Sequence, residues 1–148
     1  MLNMTPRIVT VGGGEMANIA HCPKIPSLSE TVPARDNIMS VSGKGASQAA
    51  TMATLGGDIH FIGCLGKDPN GDIVSSALTS SGVKTDFLVR VSHPTATSLV
   101  MVDYEGDMVK AYYPGANLKL TEEMVRKAKG VIAEADMLVC QLEIHNST

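Results

Sequence analysis

The stretch VSGKGASQAA, Val41–Ala50, places two glycines around a lysine and then continues into small residues at helical spacing. It predicts a glycine bend that opens a helix. In such a bend Gly43 lets a ligand approach the backbone, Lys44 supplies N–H donors, and Ser47 lies one turn further along the same face. This mixture of hydrogen-bond donors and acceptors suits an uncharged, hydroxyl-rich ligand. From the spacing alone, a plain turn with a solvated lysine is the favoured interpretation of the same residues.

Two nucleotide-binding motifs can be compared with the glycine-rich segments. A Walker A loop needs a glycine upstream of the Gly-Lys pair and Ser or Thr after the lysine, but Ile38 and Gly45 occupy these places, so the P-loop is excluded. Gly12–Ala17 matches G-x-G-x-x-A, with Asp36 as the ribose-binding carboxylate. That motif must open a helix, and Pro23 leaves little room for one. A dinucleotide-binding domain therefore stays the weaker alternative.

Apolar runs and helical patterns alternate along the chain, which predicts an α/β fold with a doubly wound parallel sheet. The last strand is apolar throughout and is typical of a buried parallel strand. Thr121 is predicted to cap a single helix with acidic residues first and lysines near its end. The predicted strands are 7–11, 59–66, 85–91 and 135–142, and the other predicted helices are 46–55 and 72–81.

Two segments interrupt this alternation, at about 17–40 and 95–114. Several prolines in the first segment rule out a long helix. The second segment contains two β-rich runs joined by DYEGD, which predicts a hairpin with Gly106 in the turn. We expect both segments to form strands outside the main sheet, as a small flap over a site.

Composition narrows the classes of protein. A chain of 148 residues with 44% hydrophobic residues predicts one domain with an aliphatic core. The net charge of -3 favours neither a nucleic-acid nor a membrane partner. Cys22, Cys64 and Cys140 lie far apart, in apolar runs and without a metal-ligand cluster. They predict reduced, buried thiols, no metal site and a cytoplasmic protein.

Several motifs resemble one family. Val41–Ala50 resembles the GGKGANQA signature of the ribokinase (PfkB) family of carbohydrate kinases. Further segments resemble the motifs of that family in the same order and without large gaps: VTVGGG, IPSLSETVPARD, FIGCLGKDPNGD, YPGANLKLTEEMV and ADMLVCQLEI. Glycine-bearing motifs at consistent spacing are far more specific together than any one of them alone.

The resemblance implies a parallel α/β sandwich with a small β lid formed by the two interrupting segments. It implies a kinase that uses ATP and Mg2+ to phosphorylate a sugar hydroxyl, which is O5 of ribose in ribokinases. The implied sugar-contacting positions are Gly43, Lys44 and Glu143. Pairing of two chains through the lid is also implied.

The sequence departs from the family pattern at the sugar site. The sugar-binding aspartate of the family is Ala17 here, the usual asparagine after Gly-Ala is Ser47, and the first glycine of the signature is Ser42. Glu15 is a candidate to compensate, because residues two apart in an extended segment point the same way. These changes leave a different sugar open as the ligand.

Family members are much longer than this chain, and the Gly-Ala-Gly-Asp motif that carries their catalytic base does not occur among these residues. We therefore expect residues 1–148 to be the N-terminal, sugar-binding part of a ribokinase-like domain, with no catalytic residue of its own. Its last strand is expected to expose unpaired backbone groups and an apolar face. The alternatives are a non-catalytic sugar-binding or dimerising module and the dinucleotide-binding domain.

Overall fold

The computed structural model describes residues 5–145 and 148. Over these residues the chain forms two sheets and a set of short helices. The strands are β1 Arg7–Val11, β2 Glu15–His21, β3 Asp36–Ser42, β4 Asp58–Gly66, β5 Lys84–Val91, β6 Ala96–Val102, β7 Met108–Tyr113 and β8 Met137–Cys140. The helices are α1 Lys44–Thr54, α2 Pro69–Ser80, α3 Glu122–Arg126 and α4 Lys129–Ala133, with a 3-10 turn at Gly115–Lys119.

The main sheet is parallel, in the order β5-β4-β1-β8, and helices pack on both of its faces. The alternation along β4 explains this, because successive side chains point to opposite faces. Phe61 and Leu65 pack in the cluster formed with α1 and α2, whereas Ile62 and Cys64 pack in the cluster on the side of α3 and α4. The prediction of a doubly wound α/β sheet is confirmed.

Two helices begin earlier than predicted, and the predicted single helix after Thr121 is wrong. The Thr121 hydroxyl caps α3 by accepting a hydrogen bond from the Met124 N–H at 3.3 Å, as expected. However, Ala128 leaves the helical conformation, with φ -90° and ψ 8°, and separates α3 from α4. Ala128 is fully buried against the sheet, so packing overrides the local helical pattern at this point.

None of the helices that the structure describes combines the length and apolar character needed to cross a bilayer.

The last strand, β8, lies parallel to β1 as predicted. The burial predicted from its apolar composition is wrong, whereas the expectation that it exposes unpaired backbone groups and an apolar face is confirmed. Met137 is 57% exposed and Leu138 is 49% exposed. Within the described residues β8 pairs with β1 alone, so its outer edge and much of its apolar surface face solvent. An apolar composition therefore indicated the strand but not its neighbours.

The prediction of buried cysteines holds for two of the three. Cys22 and Cys64 are buried, and burial raises the pKa of the Cys64 thiol to about 11. Cys140 is exposed, which contradicts the prediction. The reason is again the position of β8 at the edge of the sheet.

The second sheet has the order β3-β2-β6-β7 and contains both antiparallel and parallel pairs. Its strands fall in the two segments that interrupt the α/β alternation, although β2 begins at Glu15 and β3 extends to Ser42. The β6–β7 hairpin is confirmed, and Gly106 has a positive φ of 90° in its turn.

The dinucleotide-binding interpretation is contradicted by the element that follows the glycines. Gly12–Gly14 lead directly into strand β2, whereas the dinucleotide motif must open a helix. Asp36, the candidate ribose-binding carboxylate, lies at the far end of β3 and accepts a 2.6 Å hydrogen bond from His21. The backbone positions of this motif therefore do not form a dinucleotide site.

Asp68 connects the start of α2 to the segment before β6. Its Oδ1 accepts hydrogen bonds from the Gly71 N–H at 2.8 Å and the Thr95 hydroxyl at 2.6 Å, and its Oδ2 accepts from the Thr95 N–H at 2.7 Å. Burial pushes the pKa of Asp68 upward, but the hydrogen bonds from Thr95 and Gly71 outweigh it, so this pKa lies below its usual value. The Asp68 carboxylate therefore joins the second sheet to the start of α2.

We expect Asp68→Asn to lower the free energy of unfolding by about 1–3 kcal/mol at neutral pH, because the amide turns a donor toward the donors of Thr95. Since the pKa of Asp68 is depressed in the folded chain, its stabilisation is complete above the unfolded pKa and is lost as pH falls through the folded value. The difference from wild type should therefore shrink in acid. Urea unfolding at neutral pH and in acid measures this difference, and Asp86→Asn, at an exposed position on β5, is the control. Equal stabilities of the two variants would contradict it.

Candidate functional site

The site is built around a close contact between the Gly12–Gly14 turn and the start of α1. Gly43 has a φ of 98°, and a Cβ on it would lie 2.8 Å from both the Gly13 carbonyl oxygen and the Gly14 Cα. A Cβ on Gly45 would lie 2.9 Å from the Gly12 Cα. The bare α-carbon of Gly43 thus faces its own chain, where it permits close packing of the backbone. Sequence reasoning had assigned that space to a ligand.

Lys44 and Glu143 meet directly, although 99 positions separate them. The Lys44 backbone N–H donates to Glu143 Oε2 at 3.0 Å, and the Lys44 ammonium contacts Oε1. The hydrogen bond from the ammonium to Glu143 raises the pKa of Lys44. The Lys44 side chain is 69% exposed and that of Glu143 is 15% exposed, so the lysine covers the carboxylate from the solvent side. The structure thus brings together two residues that sequence analysis placed in one site.

Glu15 opens β2 as a buried carboxylate in the second sheet. Its side chain is only 1% exposed. Oε1 accepts hydrogen bonds from the Ser98 hydroxyl at 3.1 Å and the Lys110 ammonium at 2.7 Å. Oε2 is buried and has no hydrogen-bond partner among the described residues. After Glu143, the charge of Glu15 also contributes to the raised pKa of Lys44, so the two carboxylates share one electrostatic environment.

Asn117 links the glycine turn to β7. It accepts a hydrogen bond from the Gly14 N–H at 3.3 Å and donates one to the Tyr112 hydroxyl at 3.0 Å. A Cβ on Gly13 would lie 2.5 Å from the Asn117 side-chain nitrogen, so any larger residue would displace the Asn117 amide. Burial raises the pKa of Tyr112, and the charges of Glu143 and Glu15 raise it further. Tyr112 therefore lies within electrostatic reach of both carboxylates.

The other predicted positions lie differently. Ser47 is exposed on α1, and no hydrogen bond in the described part of the chain joins its hydroxyl to Lys44 or Glu143. It borders a surface cavity of about 390 Å³ between α1 and Val139 of β8. Ala17 is buried beside Ser98 and offers no acceptor. The sugar-site predictions thus converge at Lys44, Glu143 and Glu15 but not at Ser47.

Sequence reasoning missed Lys110, Tyr112 and Asn117. The period of two along MVKAYY places Lys110 and Tyr112 on the same face of β7, which is a usable signal. Their distance from Glu15 depends on the strand order β2-β6-β7, which no sequence pattern states. Asn117 belongs to the PGAN motif, but its role as a bridge was not foreseen.

The described residues contain no group of three or more His, Cys, Asp or Glu side chains that could hold a metal ion. We assign no step to a metal or to a nucleotide.

Comparison with protein-family models identifies the family of this chain. Residues 5–144 match the family model described as pfkB family carbohydrate kinase. The chain belongs to the pfkB family. The match covers β1 through β8, and so includes Glu15, Lys44 and Glu143.

Similar proteins come from distant organisms. This pfkB-family chain is 31% identical to the ribokinase of Dictyostelium discoideum. The aligned region covers 95% of this chain and 45% of the Dictyostelium protein. This chain is also 31% identical to the ribokinase of Bacillus subtilis, over 95% and 48% of the two chains. A solved structure of Arabidopsis thaliana ribokinase complexed with ribose and ATP has a TM-score of 0.84 at 31% identity and covers 97% of this chain and 47% of that one. The chain thus spans about half the length of these relatives.

We expect Gly43→Ala to destabilise the chain through both strain and collision. A positive φ costs an alanine about 1–2 kcal/mol, and the overpacking against Gly13 and Gly14 adds about 1–3 kcal/mol. Gly106→Ala is the matched control, because its φ is 90° and a Cβ there meets nothing within 4 Å. Urea unfolding of both variants isolates the packing contribution. Equal losses would show that the close contact is unimportant.

Proposed function

We propose that this chain is the sugar-binding part of a ribokinase-like kinase. The observation that carries the proposal is the meeting of Lys44 and Glu143 beside the buried carboxylate of Glu15. Lys44 and Glu143 offer a charged donor and a charged acceptor at the C-terminal end of the parallel strands, where ligands of such sheets bind. A sugar hydroxyl can both donate and accept, so it matches this pair.

The proposed roles follow from the chemistry of each residue. Glu143 accepts hydrogen bonds from one or two sugar hydroxyls, Lys44 donates to a sugar oxygen, and Glu15 supplies the acceptor that Ala17 lacks. Gly43 holds the bend that orients Lys44. We assign Ser47 a peripheral contact through its exposed hydroxyl.

Ribose is the proposed sugar. Support comes from the relatives named ribokinase and from the Arabidopsis thaliana structure, which is described as a complex with ribose and ATP. The second sheet, in strands near residues 17–40 and 95–114, is the proposed lid over the sugar. A cytoplasmic location remains a prediction from the sequence.

ATP and Mg2+ are proposed as cofactors of the whole kinase, with their binding residues supplied by sequence outside this chain. Phosphoryl transfer depends on positioning and on donors directed at the developing charge. Neither the Gly-Ala-Gly-Asp motif nor a metal-ligand cluster occurs in the described residues. The sugar site and the phosphate site would thus lie in different parts of the kinase.

A non-catalytic module that dimerises through the second sheet is the alternative, and one observation favours it. Met39 is 60% exposed and Leu99 is 64% exposed, and the strand register places them on the same face of that sheet, on either side of Asn18. Exposed apolar surface of this kind marks association sites. A chain that sediments as a dimer yet binds no sugar would favour this alternative over the first proposal.

We expect titration calorimetry to detect D-ribose binding to the chain, whereas NAD gives no response. Glu143→Gln should weaken ribose binding by about 1–1.5 kcal/mol, because a charge-assisted hydrogen bond becomes a neutral one. Glu105→Gln, an exposed change in the β6–β7 turn, is the control and should bind as wild type does. Unchanged ribose affinity in Glu143→Gln, or binding of NAD instead of ribose, would contradict the proposed site.

We expect the isolated chain to leave D-ribose unphosphorylated in the presence of ATP and Mg2+, because it lacks a base and a phosphate site. Mass spectrometry of the sugar after incubation measures this. Formation of ribose 5-phosphate above the level of a heat-denatured control would contradict the proposed division of the kinase.

A further inference from the structure

We propose that Lys110 is a specificity-determining residue of the sugar site, and that the Glu15–Lys110 pair receives one neutral hydroxyl of the ligand and disfavours an ammonium at the same place. This inference rests on the proposed function and adds a substrate class to it. The class is a neutral sugar whose hydroxyl at this subsite both donates and accepts a hydrogen bond.

Strand register holds the pair on one face of the second sheet. Ser98 of β6 lies opposite Ala17 of β2 and Tyr112 of β7. Lys110 lies two residues before Tyr112 and therefore on the same face. Lys110 therefore reaches across β6 to the Glu15 carboxylate on β2, a contact of 2.7 Å. The ring of Tyr112 lies under its ammonium, 5.4 Å from the ring centroid. Two separate contacts thus hold the Lys110 ammonium beside Glu15 when no ligand is bound.

The hydrogen-bonding capacity of the pair is incomplete. Oε1 of Glu15 has its donors in Ser98 and Lys110, whereas Oε2 is buried without one. The Lys110 side chain is 33% exposed, against 1% for Glu15, and its ammonium carries more N–H donors than this contact uses. The pair therefore retains one buried acceptor and solvent-facing donors. A hydroxyl reaches Oε2 only if the Lys110 side chain turns aside.

A hydroxyl completes both halves of this arrangement. It donates its hydrogen to Oε2 of Glu15 and accepts an N–H from Lys110. An ammonium group on the sugar has donors only, and it would lie against the like charge of Lys110. The Glu15 carboxylate is already paired with Lys110, and Ala17 supplies no second carboxylate to offset that repulsion. The chain thus combines an attractive contact for a neutral sugar with a repulsive contact for an amino sugar.

Removal of Lys110 alone should affect the chain more than removal of both charges. Lys110→Met leaves the Glu15 carboxylate buried and unpaired, whereas Lys110→Met with Glu15→Gln leaves no charge there. The thermal midpoint of unfolding without ligand should therefore be lower for the single variant than for the double variant. This readout needs no sugar and tests the ion pair by itself.

The deciding experiment measures binding of D-ribose and of its 2-, 3- and 5-amino-deoxy analogues to the full chain by calorimetry. We expect wild type to bind at least one amino analogue about tenfold or more weakly than ribose. Lys110→Met should reduce the ratio of ribose affinity to amino-analogue affinity by about tenfold and should also weaken ribose binding. The surface variant Lys119→Met should leave this ratio and the ribose affinity unchanged.

The outcomes separate the two proposals. If wild type binds ribose but Lys110→Met keeps the wild-type preference against every amino analogue, the inference about Lys110 fails and the sugar site stands. If the double variant is less stable than Lys110→Met, the ion pair is not arranged as described and the inference also fails. If wild type binds none of these sugars, the proposed function is contradicted and the inference fails with it.

Discussion

The arrangement of this chain depends on one close backbone contact, in which the Gly12–Gly14 turn lies against the start of α1. At Gly43 and Gly45 a single added carbon would overlap the neighbouring backbone. The contact fixes where α1 begins, and α1 in turn presents the Lys44 N–H to Glu143. The same turn leads into β2 and so places Glu15 at its first position. A packing requirement between backbones thereby brings distant polar residues to one end of the sheet.

Side-chain contacts then attach the second sheet to the part of the chain that forms the parallel sheet and its helices. Asp68 binds the segment before β6 through Thr95, and Asn117 joins the glycine turn to Tyr112 on β7. Both connections are hydrogen bonds of buried or partly buried groups, whose loss leaves polar atoms without partners. They hold the face that carries Glu15 and Lys110 in a fixed relation to the parallel strands. The site is therefore shared between two sheets rather than contained in either.

Much of the fold could be predicted from the sequence, because α1 and α2 each bury one face, β4 is apolar on both faces, and the ends of these elements carry glycines or caps. The apolar composition of β8 did not indicate its exposure, because an apolar strand looks the same whether it has one neighbour or two. Ala128 divided a predicted helix for a tertiary reason, its complete burial. In the site, the motifs indicated Lys44 and Glu143. The partners of Glu15 depend on strand order, which local patterns do not encode.

The exposure of Cys140 at the edge strand has a practical consequence. Cys22 and Cys64 are buried, and a thiol with a pKa of about 11, such as that of Cys64, carries almost no thiolate at neutral pH. A maleimide fluorophore should therefore attach to Cys140 with little competition from the other two. Gln141, the next residue, hydrogen-bonds to Val11 just before the glycine turn. The natural sequence thus already contains a labelling point from which local changes near the glycines can be followed by emission.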